Sequence, residues 1–209
     1  MVEVEHFVAR VEELAQIHSA LESHDRFRKT AVVHGLGGMG KTQLAVAYAK
    51  LHRDDYSAVF WMNAKDEASL RQTYANAANR ILYEHPTMTY LKSAVEEGDI
   101  NQVVHATKRW LSQPRNSHWL VIYDNYDTPD LGGEDLNGSE SDVDADECLK
   151  YYDIRPFFPD SHHGAIIITT RSARVKIGRC IPLGKLRQMI HSLEILSNAS
   201  NRHSLALGM

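Results

Sequence analysis

Apolar residues along this chain fall into short continuous runs and longer periodic stretches, and the two kinds alternate. Val11, Leu14, Ile17 and Leu21 recur at helical spacing, so a helix is predicted over 11–24. Thr30-Ala31-Val32-Val33-His34 is the first strand-like run. A glycine-rich turn separates it from a helical stretch, Gln43 to Lys50. Ala58-Val59-Phe60-Trp61-Met62, bounded by polar residues, reads as a buried parallel strand. Asn63-Ala64-Lys65-Asp66 turns into a long helix reaching Tyr83 and ended by Pro86. Another helix is predicted from Asp99 to Leu111, ahead of Pro114. Trp119-Leu120-Val121-Ile122-Tyr123 and the run from Gly164 to Arg171 are further apolar strands with polar ends. Cys180-Ile181-Pro182-Leu183 is a weaker, edge-like candidate because of its proline, and a last helix is predicted from Gly184 to Leu196. Strands alternating with helices predict an α/β fold, a parallel sheet with helices on both faces. Ligands of such sheets sit beyond the carboxyl ends of the strands, where Lys41, Asp124 and Arg171 all fall.

The turn after the first strand carries the clearest chemistry. Gly35-Leu36-Gly37-Gly38-Met39-Gly40-Lys41-Thr42 fits the phosphate-cradling pattern G-x-x-x-x-G-K-[ST], in the strand–loop–helix setting that the pattern requires. Gly35, Gly37, Gly38 and Gly40 let backbone N–H groups approach phosphate oxygens without side chains in the way. The helix behind the loop adds the positive end of its dipole. Lys41 supplies an ammonium for the β- and γ-phosphates of ATP, and the Thr42 hydroxyl is a ligand for Mg²⁺. An apolar strand ending in an acid, well downstream, is the expected source of the carboxylate that positions the metal, and Asp124 fits. The next residue is Asn125, where many hydrolytic relatives of such sites carry a second acid. A carboxamide orients water but does not take its proton, so hydrolysis is expected to be slow; Asp127 is the nearest replacement acid. Arg171 follows Thr169 and Thr170 at the end of its strand, placed to contact a γ-phosphate while one of the threonines bonds phosphate or water. The bland alternatives are a turn-capping Asp124 and an Arg171 that pairs with a surface carboxylate.

Composition narrows the class without adding chemistry. The chain has 209 residues, room for one α/β domain, and no apolar stretch of membrane-spanning length. MVEVEHF lacks the basic and apolar regions of a signal peptide. With only Cys148 and Cys180 there is no disulfide framework, and a reducing cytoplasmic setting is expected. The histidines show no metal-ligand spacing. Residues 130–147 hold eight acids and no Lys or Arg; without them the net charge changes from −4 to +4. This segment reads as a solvated acidic loop, lacking the glycine and distal glutamate of a calcium loop. No basic-aromatic stripe suggests nucleic acid as a partner. Three parts are expected: 1–29, an N-terminal segment and helix; 30–184, a nucleotide domain; and 185–209, the start of a helical subdomain.

Taken together, these blocks resemble the NB-ARC group of signal-transducing P-loop ATPases, and among them the NOD-like proteins of filamentous fungi. Phe7-Val8-Ala9-Arg10-Val11-Glu12-Glu13 is similar to the family's adenine-side motif. His34 to Ala45, including Gln43, is similar to its phosphate loop. Leu120-Val121-Ile122-Tyr123-Asp124-Asn125 resembles its Walker B strand in the Asp-Asn variant, and Ile166-Ile167-Ile168-Thr169-Thr170-Arg171 its sensor strand. The resemblance implies a sheet order of 5-1-4-3-2, with Val8 and Arg10 on the adenine side and Gln43 and Thr170 in the nucleotide site. It also implies an ADP-held closed state and an ATP-bound state that associates with itself or with partner proteins. In the family a helical subdomain with a Gly-Leu-Pro-Leu motif follows, then a winged-helix subdomain whose motif carries a histidine that reads ADP; neither motif is expected in this sequence after Leu186. Two other readings stay open: a fragment that binds nucleotide weakly, and a small P-loop kinase.

Overall fold

The computed structural model describes residues 10–22, 29–130 and 151–185. Val8, Cys148, the acidic segment after Asp130 and the helix predicted to follow Gly184 lie outside these residues. Five strands and five helices are described: α1 (Val11–Glu22), β1 (Lys29–His34), α2 (Lys41–Leu51), β2 (Ala58–Asn63), α3 (Glu67–Glu84), α4 (Thr89–Glu97), α5 (Ile100–Leu111), β3 (Trp119–Asp124), β4 (Ala165–Thr170) and β5 (Arg179–Pro182). The strands form one sheet in the order β2-β3-β4-β1-β5, every pairing parallel. Read from the other edge, this is the 5-1-4-3-2 order that the resemblance implied.

Alternate residues of each central strand feed opposite cores. Ala31, Val33, Leu120, Ile122, Ala165 and Ile167 pack with Ile17 of α1 and Leu44 of α2 on one face. Val32, Val121, Tyr123, Ile166 and Ile168 pack with Leu70 and Tyr74 of α3, Leu91 of α4 and Trp110 of α5 on the other. Covered on both sides, β3 and β4 are buried at all six positions, which is why they read as unbroken apolar runs. Each fully buried Ile or Val here stabilises the fold by about 1.5–3 kcal/mol relative to an exposed one.

Two local expectations need correction. The Ala58–Met62 run is an edge strand, not a fully buried one. Phe60 and Met62 enter the core, whereas Val59 and Trp61 keep 43% and 39% of their surface, because no helix among the described residues covers that side of β2. Helix α4 was not expected. It buries only Leu91 and Ala94, too few positions to set a readable period between Pro86 and Gly98. The proline-bearing strand β5 does form and lies at the other edge, where Pro182 can sit without a ladder donor. Among the described residues, no helix is long and apolar enough to cross a membrane.

Candidate functional site

The sheet register sets the site. His34 lies opposite Thr170 and Pro182, and Asp124 opposite Asn63, so the ends of all five strands open onto the same side. From β1 the chain passes into α2 on one face. From β4 it continues through Val175 and Ile177, which join the core of the other face. Adjacent strands whose continuations diverge leave a crevice at their carboxyl ends. The loop Gly35–Gly40 lies there, tied back by Gly35 N–H donating to Thr170 O at 3.2 Å.

Two glycines of the loop are dictated by geometry. A Cβ on Gly35 would fall 2.4 Å from the Leu183 carbonyl oxygen, so any side chain there would displace the segment after β5. Gly40 precedes α2 with φ 86°, a left-handed conformation suited to glycine, and no side chain caps the helix. The first N–H groups of α2 are therefore left for whatever occupies the loop. Lys41 is 9% exposed, and its Nζ donates to Gly35 O at 2.8 Å and Leu36 O at 2.9 Å. Burial pulls its pKa below that of a free amine, with the nearby Arg171 acting in the same direction; the carboxylates of Asp127 and Asp124 oppose this.

Asp124 is 5% exposed at the end of β3, surrounded by hydroxyl groups. Its Oδ1 accepts from Thr42 Oγ1 at 2.9 Å and from Thr169 Oγ1 at 2.5 Å. Thr169 Oγ1 in turn accepts from the Asn125 backbone N–H at 3.0 Å. One carboxylate oxygen thus joins the helix after the loop to β4 across β3. The second oxygen faces the Asn125 carboxamide at 3.5 Å. Asn125 has φ 66°, the one non-glycine residue in the left-handed region among those described, a conformation asparagine tolerates well. Of the two candidate threonines, Thr169 therefore reaches the carboxylate. Thr170 is fully buried, its Oγ1 accepting from Ser172 N–H at 3.0 Å.

The structure brings together the loop glycines, Lys41, Thr42, Asp124, Asn125, Asp127 and Arg171. Asp127 faces Arg171: its Oδ2 lies 2.9 Å from Arg171 Nε, and its Oδ1 accepts from the Arg171 backbone N–H at 2.7 Å. Gln43 is exposed on the first turn of α2. Arg10 is 7% exposed and reaches the loop from the side, donating to Met39 O at 3.0 Å and Gly184 O at 2.9 Å while pairing with Glu13. These two acceptors went unanticipated because a main-chain carbonyl leaves no residue-type signal. A groove of about 550 Å³ lined by Arg71, His105, Lys108 and Tyr151 lies elsewhere and contains none of the anticipated residues.

A parallel sheet in this order, with a glycine loop between β1 and α2 and a hydroxyl-bonded carboxylate at the end of β3, defines a P-loop NTPase fold. The chain is 28% identical over 170 residues to a nucleotide-binding leucine-rich repeat (NLR)-like protein of Hyaloscypha variabilis, to which it is distantly homologous. That match covers 79% of this chain and 16% of the relative, so the chain spans a small part of the relative's length. Among solved structures, Cdc6p from Pyrobaculum aerophilum resembles it with a TM-score of 0.53 and 10% identity, over 95% of this chain and 52% of that one. At that identity the likeness concerns the fold alone. No protein-family model matches the chain.

Proposed function

We propose that this chain is the nucleotide-binding module of an NB-ARC-type signalling switch that binds ADP and ATP with Mg²⁺ and hydrolyses ATP slowly. The observation that carries this reading is the junction of Thr42, Asp124 and Thr169 at the mouth of the glycine loop. A hydroxyl and a carboxylate in contact form a hard oxygen pair suited to Mg²⁺. Gly38 and Gly40 have open space where a side chain would stand, so the loop has room for phosphate oxygens. The residues present therefore fit the group.

In this reading the loop N–H groups and Lys41 bind the phosphates, and Thr42 and Asp124 hold the metal. A bound Mg²⁺ supplies charge neutralisation between the phosphates. Lys41, held by the Gly35 and Leu36 carbonyls, needs only to exchange one set of oxygens for another. Asn125 leaves attacking water without an adjacent carboxylate base, hence the slow turnover. The relative's name supports a role in an NLR-like protein. Self-association or partner binding follows from the switch reading, and a cytoplasmic site of action accompanies it.

Thermal unfolding with Mg²⁺ and ADP, ATP or neither tests the proposal. At a ligand concentration a hundred times Kd, binding adds about 2.7 kcal/mol. For a domain of this size the melting temperature rises by roughly 5–11 °C. Lys41→Ala should abolish the rise. A wild-type chain that melts at the same temperature with and without nucleotide would sink the proposal.

A further inference from the structure

Asp127 is not spent on the metal junction, yet it sits against it. The chain leaves β3 through Asn125 at φ 66°, and Asp127 N–H donates back to Asn125 O at 2.8 Å. Between them Tyr126 anchors the turn: its N–H donates to Thr169 O at 2.9 Å, and its hydroxyl, on a ring 1% exposed, donates to Tyr152 O at 2.8 Å. The Asp127 carboxylate is thus set in place by a packed turn. One oxygen holds the backbone where β4 ends; the other holds the Arg171 side chain. The guanidinium lies beside the phosphate loop, its Cζ 3.7 Å from where a Cβ on Gly37 would be. The anion that holds the guanidinium beside the phosphate loop is thus the Asp127 carboxylate.

We infer that Asp127 is a specificity-determining residue of this site: it holds the Arg171 guanidinium as a stand-in anion, and a nucleoside triphosphate must draw that guanidinium away where a diphosphate need not. The inference rests on the nucleotide reading above. The pair suits exchange. Arg171 is 66% exposed, and exposed pairs are held weakly, so an incoming phosphate oxygen can replace the carboxylate oxygen on Nε. Arginine forms charge-assisted bonds with either partner, and each bond made to one is lost to the other. The displaced carboxylate remains anchored by its turn and repels the extra phosphate. Both effects weigh against the triphosphate and leave the diphosphate untouched, which biases the module toward its ADP-bound form.

The test is equilibrium binding of Mg²⁺-ADP and a Mg²⁺-bound non-hydrolysable ATP analogue to the wild type, Asp127→Asn, Arg171→Gln and the double variant. Asp127→Asn should raise the ratio of triphosphate to diphosphate affinity by roughly three- to tenfold, the size of a weak pair plus a removed like charge. Arg171→Gln should lower that ratio, and in its background Asp127→Asn should change it less. A merely structural role for Asp127 would weaken both nucleotides together. An unchanged or falling ratio in Asp127→Asn overturns the inference, as does an equal change with and without Arg171. Asp127→Ser, checked by melting without ligand, supplies the same readout if the amide disturbs the turn. If the wild type binds neither nucleotide, the site reading itself falls; tight wild-type binding with a constant ratio removes only the role of Asp127.

Discussion

Asn125 concentrates what a single residue decides in this molecule. Its left-handed backbone turns the chain after Asp124, and its carboxamide stands where a second acid would make a general base. Aspartate tolerates the same backbone region, so Asn125→Asp should leave the turn intact. It should raise ATP turnover by at least about tenfold, since a positioned base contributes of order 10²–10⁴. Phosphate release under multiple-turnover conditions reads this out; an unaltered rate would mean that hydrolysis is limited elsewhere. The residue types of Lys41, Thr42, Asp124 and Asn125 were legible because each has its own chemistry at a recognisable spacing. The direction of Asp127 was not. Spacing offered it as a replacement acid near the reacting water, whereas the turn at Asn125 and the anchored Tyr126 aim it at Arg171.

At the scale of elements, α3 illustrates how local chemistry sets a boundary. Asp66 caps it, accepting from Ser69 N–H at 2.7 Å and from Ser69 Oγ at 3.0 Å. The backbone hydrogen bond from Ser69 is the main reason the Asp66 carboxyl titrates below its ordinary value; burial opposes it, and the Ser69 hydroxyl and Lys65 add to the lowering. Because the folded-state pKa is depressed, the cap contributes stability above the unfolded value near 4, and that contribution is lost as pH falls through the folded value. Asp66→Ala should destabilise the domain by about 1 kcal/mol at neutral pH in urea unfolding. The difference between variant and wild type should shrink below pH 4; a gap that persists there would mean the cap is not its source. Helix α3 was readable from its cap and its long apolar period. Helix α4 was not, because its two buried residues owe their burial to α5 and α3 rather than to a pattern of their own.

At the scale of the whole molecule, Arg10 joins three distant parts of the chain. It bonds Glu13 at the start of α1, the Met39 carbonyl in the phosphate loop and the Gly184 carbonyl beyond β5. Arg10→Met keeps much of the side-chain volume and removes the donors. It should cost about 1.5–3 kcal/mol, the range for hydrogen bonds to a charged group, measured by urea unfolding without ligand. A loss below a few tenths of a kcal/mol would mean that the three contacts do not hold the loop. Resemblance placed Arg10 on the adenine side of a bound nucleotide; the described contacts are to main-chain carbonyls and one glutamate.

The sequence by itself determined the fold class, the strand ends that carry chemistry and the glycine loop. These follow from apolar periodicity, from backbone freedom and from side-chain types that few other positions can replace. Only the tertiary structure decided that Thr169 rather than Thr170 bonds Asp124, that Ala58–Met62 lies at an edge, and that Asp127 and Arg171 face each other. Each of those depends on which strands become neighbours and in what register. β3 must lie beside β4, and β4 beside β1, before a threonine from one strand, an aspartate from the next and a lysine from the loop can meet. Pairings between residues more than forty positions apart leave no periodic trace in a single chain.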